Sequence, residues 1–160
     1  MPNTYAAKTD ISTSRSRDEI ERTLARYGAK QFAYGWSADQ AVLGFVAKDR
    51  QIRFVLPLPD PKEREFTVSP TGRRRTADAA RAAWEQACRA QWRALALVIK
   101  AKLQAVESGI VTFEDEFAMH MVLPGGATVR EHLLPAIAEA YETGEVPTLL
   151  NVPRRREIEQ

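Results

Sequence analysis

The sequence predicts an α+β fold in which a small antiparallel sheet packs against one long helix. Residues 76–108 run for 33 positions without Pro or Gly, and their apolar residues recur at helical spacing. Three strand-like runs follow one another at hairpin distances between residues 30 and 58. Capping patterns at Thr112–Asp115 and Thr128–Glu131 each open a shorter helix. The predicted architecture is therefore an N-terminal β-α-β-β-β unit, the long helix and two shorter C-terminal helices.

The beginning of the chain is predicted to form a strand and then a helix. Over the first ten or so positions every second residue would lie on one side of an extended chain, which indicates a strand. These residues are Tyr5, Ala7, Thr9 and Ile11. The sequence Ser16-Arg-Asp-Glu19 matches a capping box and predicts a helix to about Tyr27. Ile20, Leu24 and Tyr27 would form its buried face, and Gly28 would end it in a left-handed turn.

The three strand-like runs predict an antiparallel meander. Lys30–Trp36 alternates aromatic with small or polar residues, Ala41–Ala47 is apolar throughout, and Gln51–Leu58 alternates again. The connections at 37–40 and 48–50 have hairpin length. Two prolines then end the last strand, so the β-α-β-β-β unit occupies residues 1–59.

The long helix is predicted over residues 76–108, with Thr76 as its cap and Gly109 as its end. Its apolar stripe advances in steps of three and four: Trp84, Cys88, Trp92, Leu95, Ile99, Leu103 and Val106. Because Cys88 lies on this stripe, we expect a buried, unreactive thiol. The stretch Ala94–Ile99 is apolar nearly all round, so the helix needs cover from two directions.

Proline and glycine residues divide the rest of the chain into a loop and two helices. Residues 60–75 are rich in proline and charge and predict a basic loop, with at most one short strand. Residues 112–144 form the helical C-terminal part, with one helix to about Val122, a break at Pro124–Gly126 and a second helix containing Pro135. We expect one domain over residues 1–150 and a flexible tail at 151–160.

Composition places the chain among soluble globular proteins. It has 160 residues, a net charge of +2 and one cysteine, which excludes an internal disulfide. No apolar run approaches the ~20 residues that cross a membrane, and the N-terminus lacks a signal-peptide pattern. We therefore predict a cytoplasmic protein without membrane contact.

Charge is distributed unevenly along the chain. Residues 50–102 hold 12 basic and 5 acidic residues, whereas residues 103–150 hold 1 basic and 8 acidic. Arginine forks suit phosphates, so the basic loop and helix face predict a nucleic-acid contact. Its candidate residues are Arg73, Arg74, Arg75, Arg81, Arg89, Arg93 and Lys100. Two alternatives stay open: the charges are merely solvated, or the acidic segment folds back and neutralises them.

The aromatic side chains of the first predicted strand add a second possibility. Phe32, Tyr34 and Trp36 lie on one side of that strand and would form a stacking platform for bases if they faced solvent. Alternating aromatics usually face a core instead.

A divalent-metal site is the weakest chemical hypothesis. Glu116 and His120 stand at i and i+4 on a predicted helix, and one of Glu114, Glu131 or His132 could complete the ligand set of a metal-dependent enzyme. Helix capping and the helix dipole account for the same acids without a metal. No spacing of a known catalytic set is present, and Pro124–Thr128 lacks a phosphate-loop motif, so no cofactor is predicted and a non-catalytic protein is favoured.

A protein-interaction module is the alternative function, either an inhibitor or an assembly subunit. The long helix has more apolar surface through Ala94–Ile99 than one small sheet covers, so self-association or a partner protein would bury the remainder.

Three stretches together resemble a set of small, uncharacterised proteins encoded in phage and prophage genomes: SRDEIERTLARYGAKQFAYGW, IRFVLPLPD and QWRALALVIKAKLQAVESGIVTFEDEF. The resemblance spans most of residues 15–135 and rests on overall pattern. It implies a mobile-element context, in which small proteins that bind nucleic acid or inhibit host machinery are expected. It transfers no activity and no site residue.

Overall fold

The structure, a computed structural model, describes the backbone of residues 4–145 and the side chains of residues 13–145. These residues form a three-stranded antiparallel sheet and five α-helices, so the predicted α+β class is confirmed. The predicted tail at 151–160 and the domain end at 150 lie outside the described residues. Among the residues described, no helix combines the length and apolar character that crossing a membrane requires.

One helix, α1 (Thr4–Arg26), occupies the start of the chain, so the prediction of a strand over the first ten residues is wrong. The predicted cap at Ser16 lies inside this helix. Four residues of its inner side are buried at helical steps of four, three and four: Thr13, Arg17, Ile20 and Leu24. Packing on this side extends the helix past the weak alternation that suggested a strand. The N-terminal unit is therefore α-β-β-β, and Gly28 follows the helix with φ of 81°.

The sheet is the predicted meander. It consists of β1 (Lys30–Trp36), β2 (Gln40–Ala47) and β3 (Arg50–Pro57), with β2 in the centre. Lys48 and Asp49 join β2 to β3 with φ of 48° and 58°, the left-handed pair that a tight hairpin between twisted strands requires. A register shift between Lys30 and Phe32 marks a bulge at the beginning of β1.

One face of the sheet packs against α3 (Ala77–Glu107), the predicted long helix. The inward residues of β2 and β3 are buried and share one cluster with the middle and end of α3: Ala41, Leu43, Phe45, Ala47, Ile52, Phe54, Leu56, Trp92, Leu95, Ile99 and Leu103. The side chain of Thr76 accepts a hydrogen bond from the Ala79 amide, and Gly109 has φ of 73°. Both predicted ends of the helix are therefore confirmed.

A second, smaller cluster lies at the N-terminal end of α3. Phe66 belongs to α2 (Arg64–Thr67), one turn of helix within the segment predicted as a loop, and it packs with Trp84 and Cys88. The indole of Trp84 donates to the carbonyl oxygen of Pro59 at 2.7 Å. This bond holds the loop against the helix.

The C-terminal part differs from the prediction in one respect. Helix α4 (Phe113–Phe117) is followed by a 3₁₀ turn (Ala118–His120), so the predicted helix to about Val122 is wrong. The reason is the edge of the sheet: the Val122 amide donates to the Gln51 carbonyl at 2.8 Å, which requires extended backbone there. The last helix, α5 (Val129–Thr143), begins after a complete capping box and has no buried residue.

Candidate nucleic-acid interface

A groove follows the line along which α1 packs on α3. Two adjoining clefts of about 500 and 480 Å³ share Arg15 and Glu19, and together they form what we call the basic groove. The lining of the basic groove comes from these two helices and the residue after α1: Arg15, Ser16, Glu19, Arg22, Thr23, Arg26, Tyr27, Arg89, Arg93, Lys100 and Gln104.

The helical period explains why cations gather there. On α1 the basic residues Arg15, Arg22 and Arg26 advance by seven and four positions, and such steps return to the same face of a helix. On α3 the same steps occur in reverse order: Arg89, Arg93 and Lys100. Side-by-side packing brings the two rows together. The lining therefore contains six basic side chains and a single carboxylate, that of Glu19.

These six cations are available to an external anion. None of them forms an ion pair with another side chain of residues 13–145. Five are exposed, and Arg89 is half-buried. Arg22 donates Nε to the main-chain oxygen of Asp18 at 3.2 Å, and the rest of its guanidinium fork has no hydrogen-bond partner among residues 13–145. Like charges held this close repel one another, so a bound polyanion would lower the electrostatic free energy of the folded protein.

The structure divides the seven basic residues that the sequence predicted as one site. Arg89, Arg93 and Lys100 line the basic groove, together with α1 arginines that the sequence analysis did not select. Arg73 and Arg74 are exposed in the turn before α3, outside the groove lining.

The remaining two predicted contact residues, Arg75 and Arg81, lie outside the groove. Arg75 is half-buried, and its Nε donates to the main-chain oxygen of Val68 at 3.4 Å. Arg81 is half-buried on the first turns of α3. Neither residue lines the groove.

Within the described residues, the acidic C-terminal segment adds no carboxylate to the lining of the groove. No groove-lining residue lies beyond Gln104. The carboxylate of Glu107 reaches the end of the groove, where it accepts a hydrogen bond from the hydroxyl of Tyr27 at 2.8 Å. Two of the acids make contacts elsewhere: Glu116 pairs with Lys102 at 2.8 Å, and Glu131 pairs with Arg53 at 3.0 Å. The acidic segment therefore neutralises Lys102 of α3 and Arg53 of β3, but within the described residues it pairs with none of the six cations of the groove.

The residues of the metal hypothesis do not come together. The ring of His120 stacks on Phe54 with centroids 4.0 Å apart, while Glu116 holds Lys102 and His132 is exposed on α5. Within the described residues, no group of three or more possible ligands is close enough to hold an ion. Burial, and then the charge of Lys102, lower the pKa of His120, which disfavours its charged form.

The thiol of Cys88 is buried, as the sequence predicts, and burial raises its pKa to about 11. A thiol with so little thiolate is a poor nucleophile.

The aromatic residues of β1 face solvent in part. Tyr34 is 44% exposed and Trp36 50% exposed, and their rings stack with centroids 6.3 Å apart. The guanidinium of Arg17 lies over the Tyr34 ring at 4.3 Å. A stacking platform for bases requires rings that face solvent, and these two rings meet that requirement.

One feature of the sequence could have identified the α1 arginines of the groove: Arg15, Arg22 and Arg26 are separated by seven and four positions, which places them on one helix face. It was concealed because residues 1–49 have 7 basic and 6 acidic residues, a balanced composition. Only the packing of α1 against α3 separates the groove-facing arginines from the acids around them.

Comparison of the chain with protein-family models, with curated proteins and with solved structures finds no match. The functional argument therefore rests on the basic groove: its charge, its exposure and the two helices that form it.

Proposed function

We propose that this protein is a non-catalytic nucleic-acid-binding module whose basic groove receives the phosphate backbone. The observation that supports this most is the convergence of six basic side chains from two helices around one carboxylate, with no ion pair among the described residues to satisfy them. Guanidinium forks suit phosphate oxygens, and each phosphate that they neutralise adds affinity through the release of counterions. Arg73 and Arg74 provide a second contact at the N-terminal end of α3.

The length of the groove indicates how much nucleic acid it takes. Arg15 and Arg26 are separated by 11 residues, or ~16 Å of helix at ~1.5 Å per residue. One strand carries a phosphate about every 3.4 Å of duplex axis, so the groove spans the axial rise of about five phosphates. Such a contact follows the backbone and carries little information about sequence.

Fluorescence anisotropy with labelled single- and double-stranded 20-mers, across a salt series, tests the proposal. We expect the logarithm of the binding constant to fall linearly with the logarithm of salt, with a slope of about −4.5 for duplex and about −3.5 for single strands if about five phosphates are neutralised. The variant Arg22→Ala/Arg93→Ala should lower the steepness by about 2 and weaken binding to every sequence.

The matched control is Arg50→Ala/Arg64→Ala, which removes the same charge from exposed positions outside the groove. It should leave the slope nearly unchanged. Arg73→Ala/Arg74→Ala separates the loop from the groove: a small change assigns the main contact to the groove. Absence of binding at low salt, equal effects of the groove and control variants, or equal competition by polyglutamate would each contradict the proposal.

A protein-interaction module is the second candidate, and one observation favours it. Leu97 and Val98, on the outer side of α3, are 61% and 46% exposed. Sedimentation velocity at several concentrations, with wild-type and Leu97→Lys/Val98→Lys protein, tests whether this face mediates self-association. If both proteins stay monomeric over the whole concentration range, self-association through α3 is excluded.

A further inference from the structure

The two edges of the sheet differ. Along the outer side of β3, Met121 and Val122 pair with Ile52 and Gln51, so part of that edge is covered. Along the outer side of β1, no strand of the described chain is paired. An uncovered edge presents unsatisfied main-chain groups and favours pairing with another strand.

The aromatic column of β1 belongs to the core face of the sheet. Phe32, Tyr34 and Trp36 pair with Phe45, Leu43 and Ala41 of β2, whose side chains are buried. Residues directly opposite each other in an antiparallel pair project from the same face. The apolar face of the sheet therefore continues to its β1 edge. The helices that pack on this face do not cover the edge fully, so Tyr34 and Trp36 stay half-exposed.

The hairpin shows which main-chain groups point outward. The Ser37 amide donates to the Gln40 carbonyl at 2.8 Å, which makes these two residues a hydrogen-bonded pair. Because such pairs alternate with non-bonded ones, the amides and carbonyls of Trp36, Tyr34 and Phe32 point away from β2. They are the groups that a further strand would bond.

The centre of this edge lacks the devices that oppose pairing, since a lysine and a bulge stand only at its beginning, at Lys30 and Gln31. Edge strands of monomeric proteins usually carry lysine, proline or another charge at their centre. Here residues 31–38 contain no charge and no proline. Ala33 and Gly35, which alternate with these aromatic residues and lie on the other face of the sheet, are small and leave room for a further strand.

We infer that β1 pairs antiparallel with β1 of a second copy of this chain, giving a continuous six-stranded sheet across a two-fold axis. With the axis at Tyr34, the ring of Tyr34 meets its counterpart and Phe32 meets Trp36, so the aromatic columns cover each other. About six main-chain hydrogen bonds form across the axis. The same register sets Lys30 opposite Ala38 of the other copy, one residue from the acidic Asp39.

A second copy fits this edge better than nucleic-acid bases do. Bases stack on ring faces, and one face of Tyr34 is already occupied by the guanidinium of Arg17. Bases would also leave the row of outward amides and carbonyls without partners, whereas a strand bonds all of them. This inference does not depend on the proposed function, because β1 contributes no residue to the lining of the basic groove.

Sedimentation velocity of the full chain over a concentration series is the first test. We expect wild-type protein to reach the mass of two chains, and Tyr34→Pro to weaken dimerisation by at least about tenfold, since proline removes an outward amide from an edge position that tolerates it. Leu97→Lys/Val98→Lys, which leaves β1 intact, should dimerise like wild type. Circular dichroism checks that each variant is folded.

Disulfide trapping is the second test and does not depend on the proline variant. Tyr34→Cys should form a cross-linked dimer under mild oxidation, because the two-fold axis sets the residue against itself. Val55→Cys, equally exposed on the same sheet, should not, and wild-type protein with its buried Cys88 is the blank.

A monomer at all concentrations overturns the inference, as does a dimer lost only in the α3 variant. Quenching of Trp36 emission by single-stranded nucleic acid in a monomer would assign the aromatic column to bases instead.

Discussion

Nζ of Lys102 lies 2.8 Å from Oε1 of Glu116 and 3.1 Å from the main-chain oxygen of the same residue. Both side chains are largely shielded from solvent, with 21% and 25% of their areas exposed. A single lysine of α3 thus binds the side chain and the last turn of α4. The acid that the sequence offered as a metal ligand has a structural partner.

Replacement of Glu116 by glutamine should destabilise the fold by about 1 kcal/mol, because Lys102 then loses a charged acceptor in a partly dry site. Urea denaturation measures the difference. Glu114→Gln is the matched control, since it removes an exposed carboxylate from the same first turn of α4. Its cost should stay below about 0.5 kcal/mol. Equal costs would show that the helix dipole, and not the ion pair, determines the effect.

The state of His120 should make stability depend on pH. Its pKa is lowered from the ordinary 6.5 by burial and by Lys102, so between the lowered pKa and 6.5 the unfolded chain binds more protons than the folded one. The free energy of unfolding therefore falls as the pH drops below about 6.5. Urea denaturation across the titration range of histidine, roughly pH 5 to 8, measures it.

His120→Asn should flatten this dependence, and His132→Asn should leave it in place. The carboxylate of Glu131 acts in a separate window: hydrogen bonds from Thr128 lower its pKa from 4.5, so its contribution is lost at more acidic pH. An NMR titration that places the pKa of His120 at or above 6.5 would contradict the prediction.

Truncation of Phe117 should be the most damaging core change considered. Its ring is fully buried, meets Phe45 and Phe54 edge-on, and stacks on Phe113 at 4.7 Å. Phe117→Ala should cost about 3–5 kcal/mol, because a cavity forms where α4 closes the core. Chemical denaturation reports the loss. Ile110→Ala, at a 77% exposed position, should stay within about 0.5 kcal/mol of wild type.

Loss of the α5 cap should weaken that helix selectively. Thr128 is buried, accepts a hydrogen bond from the Glu131 amide and donates its hydroxyl to the Glu131 carboxylate. Thr128→Ala should cost about 1 kcal/mol, whereas Thr128→Ser, which keeps the hydroxyl, should retain most of the stability. Hydrogen exchange of the first α5 amides localises the effect. Equal exchange in the two variants would argue against the cap.

Much of the fold could be read from local patterns. The stripe from Trp84 to Leu103 predicted α3 because one buried face fixes the spacing, and Thr76, Thr112 and Thr128 cap helices by short-range bonds. Gly28 and Gly109 end helices for equally local reasons.

What failed depends on tertiary contacts. The extension of α1 through Ser16 follows from packing on α3, and its buried stripe includes Arg17, which a search for apolar residues overlooks. The turn after Phe117 follows from pairing with β3. Likewise the basic groove exists only because two helices lie side by side, so Arg15 and Arg93 are neighbours through packing and not through sequence.

The two hydrophobic clusters on α3 divide the helix into regions that need not open together. Leu58 is half-buried and packs against both, but Trp84 and Cys88 lie only in the smaller cluster, under residues 58–68. A fluctuation that lifts this segment would break the bond from Trp84 to Pro59 and wet Cys88 while Trp92 stays dry. The thiol of Cys88 therefore reports on local unfolding: its rate of alkylation under native conditions measures how often the N-terminal end of α3 separates from residues 58–68.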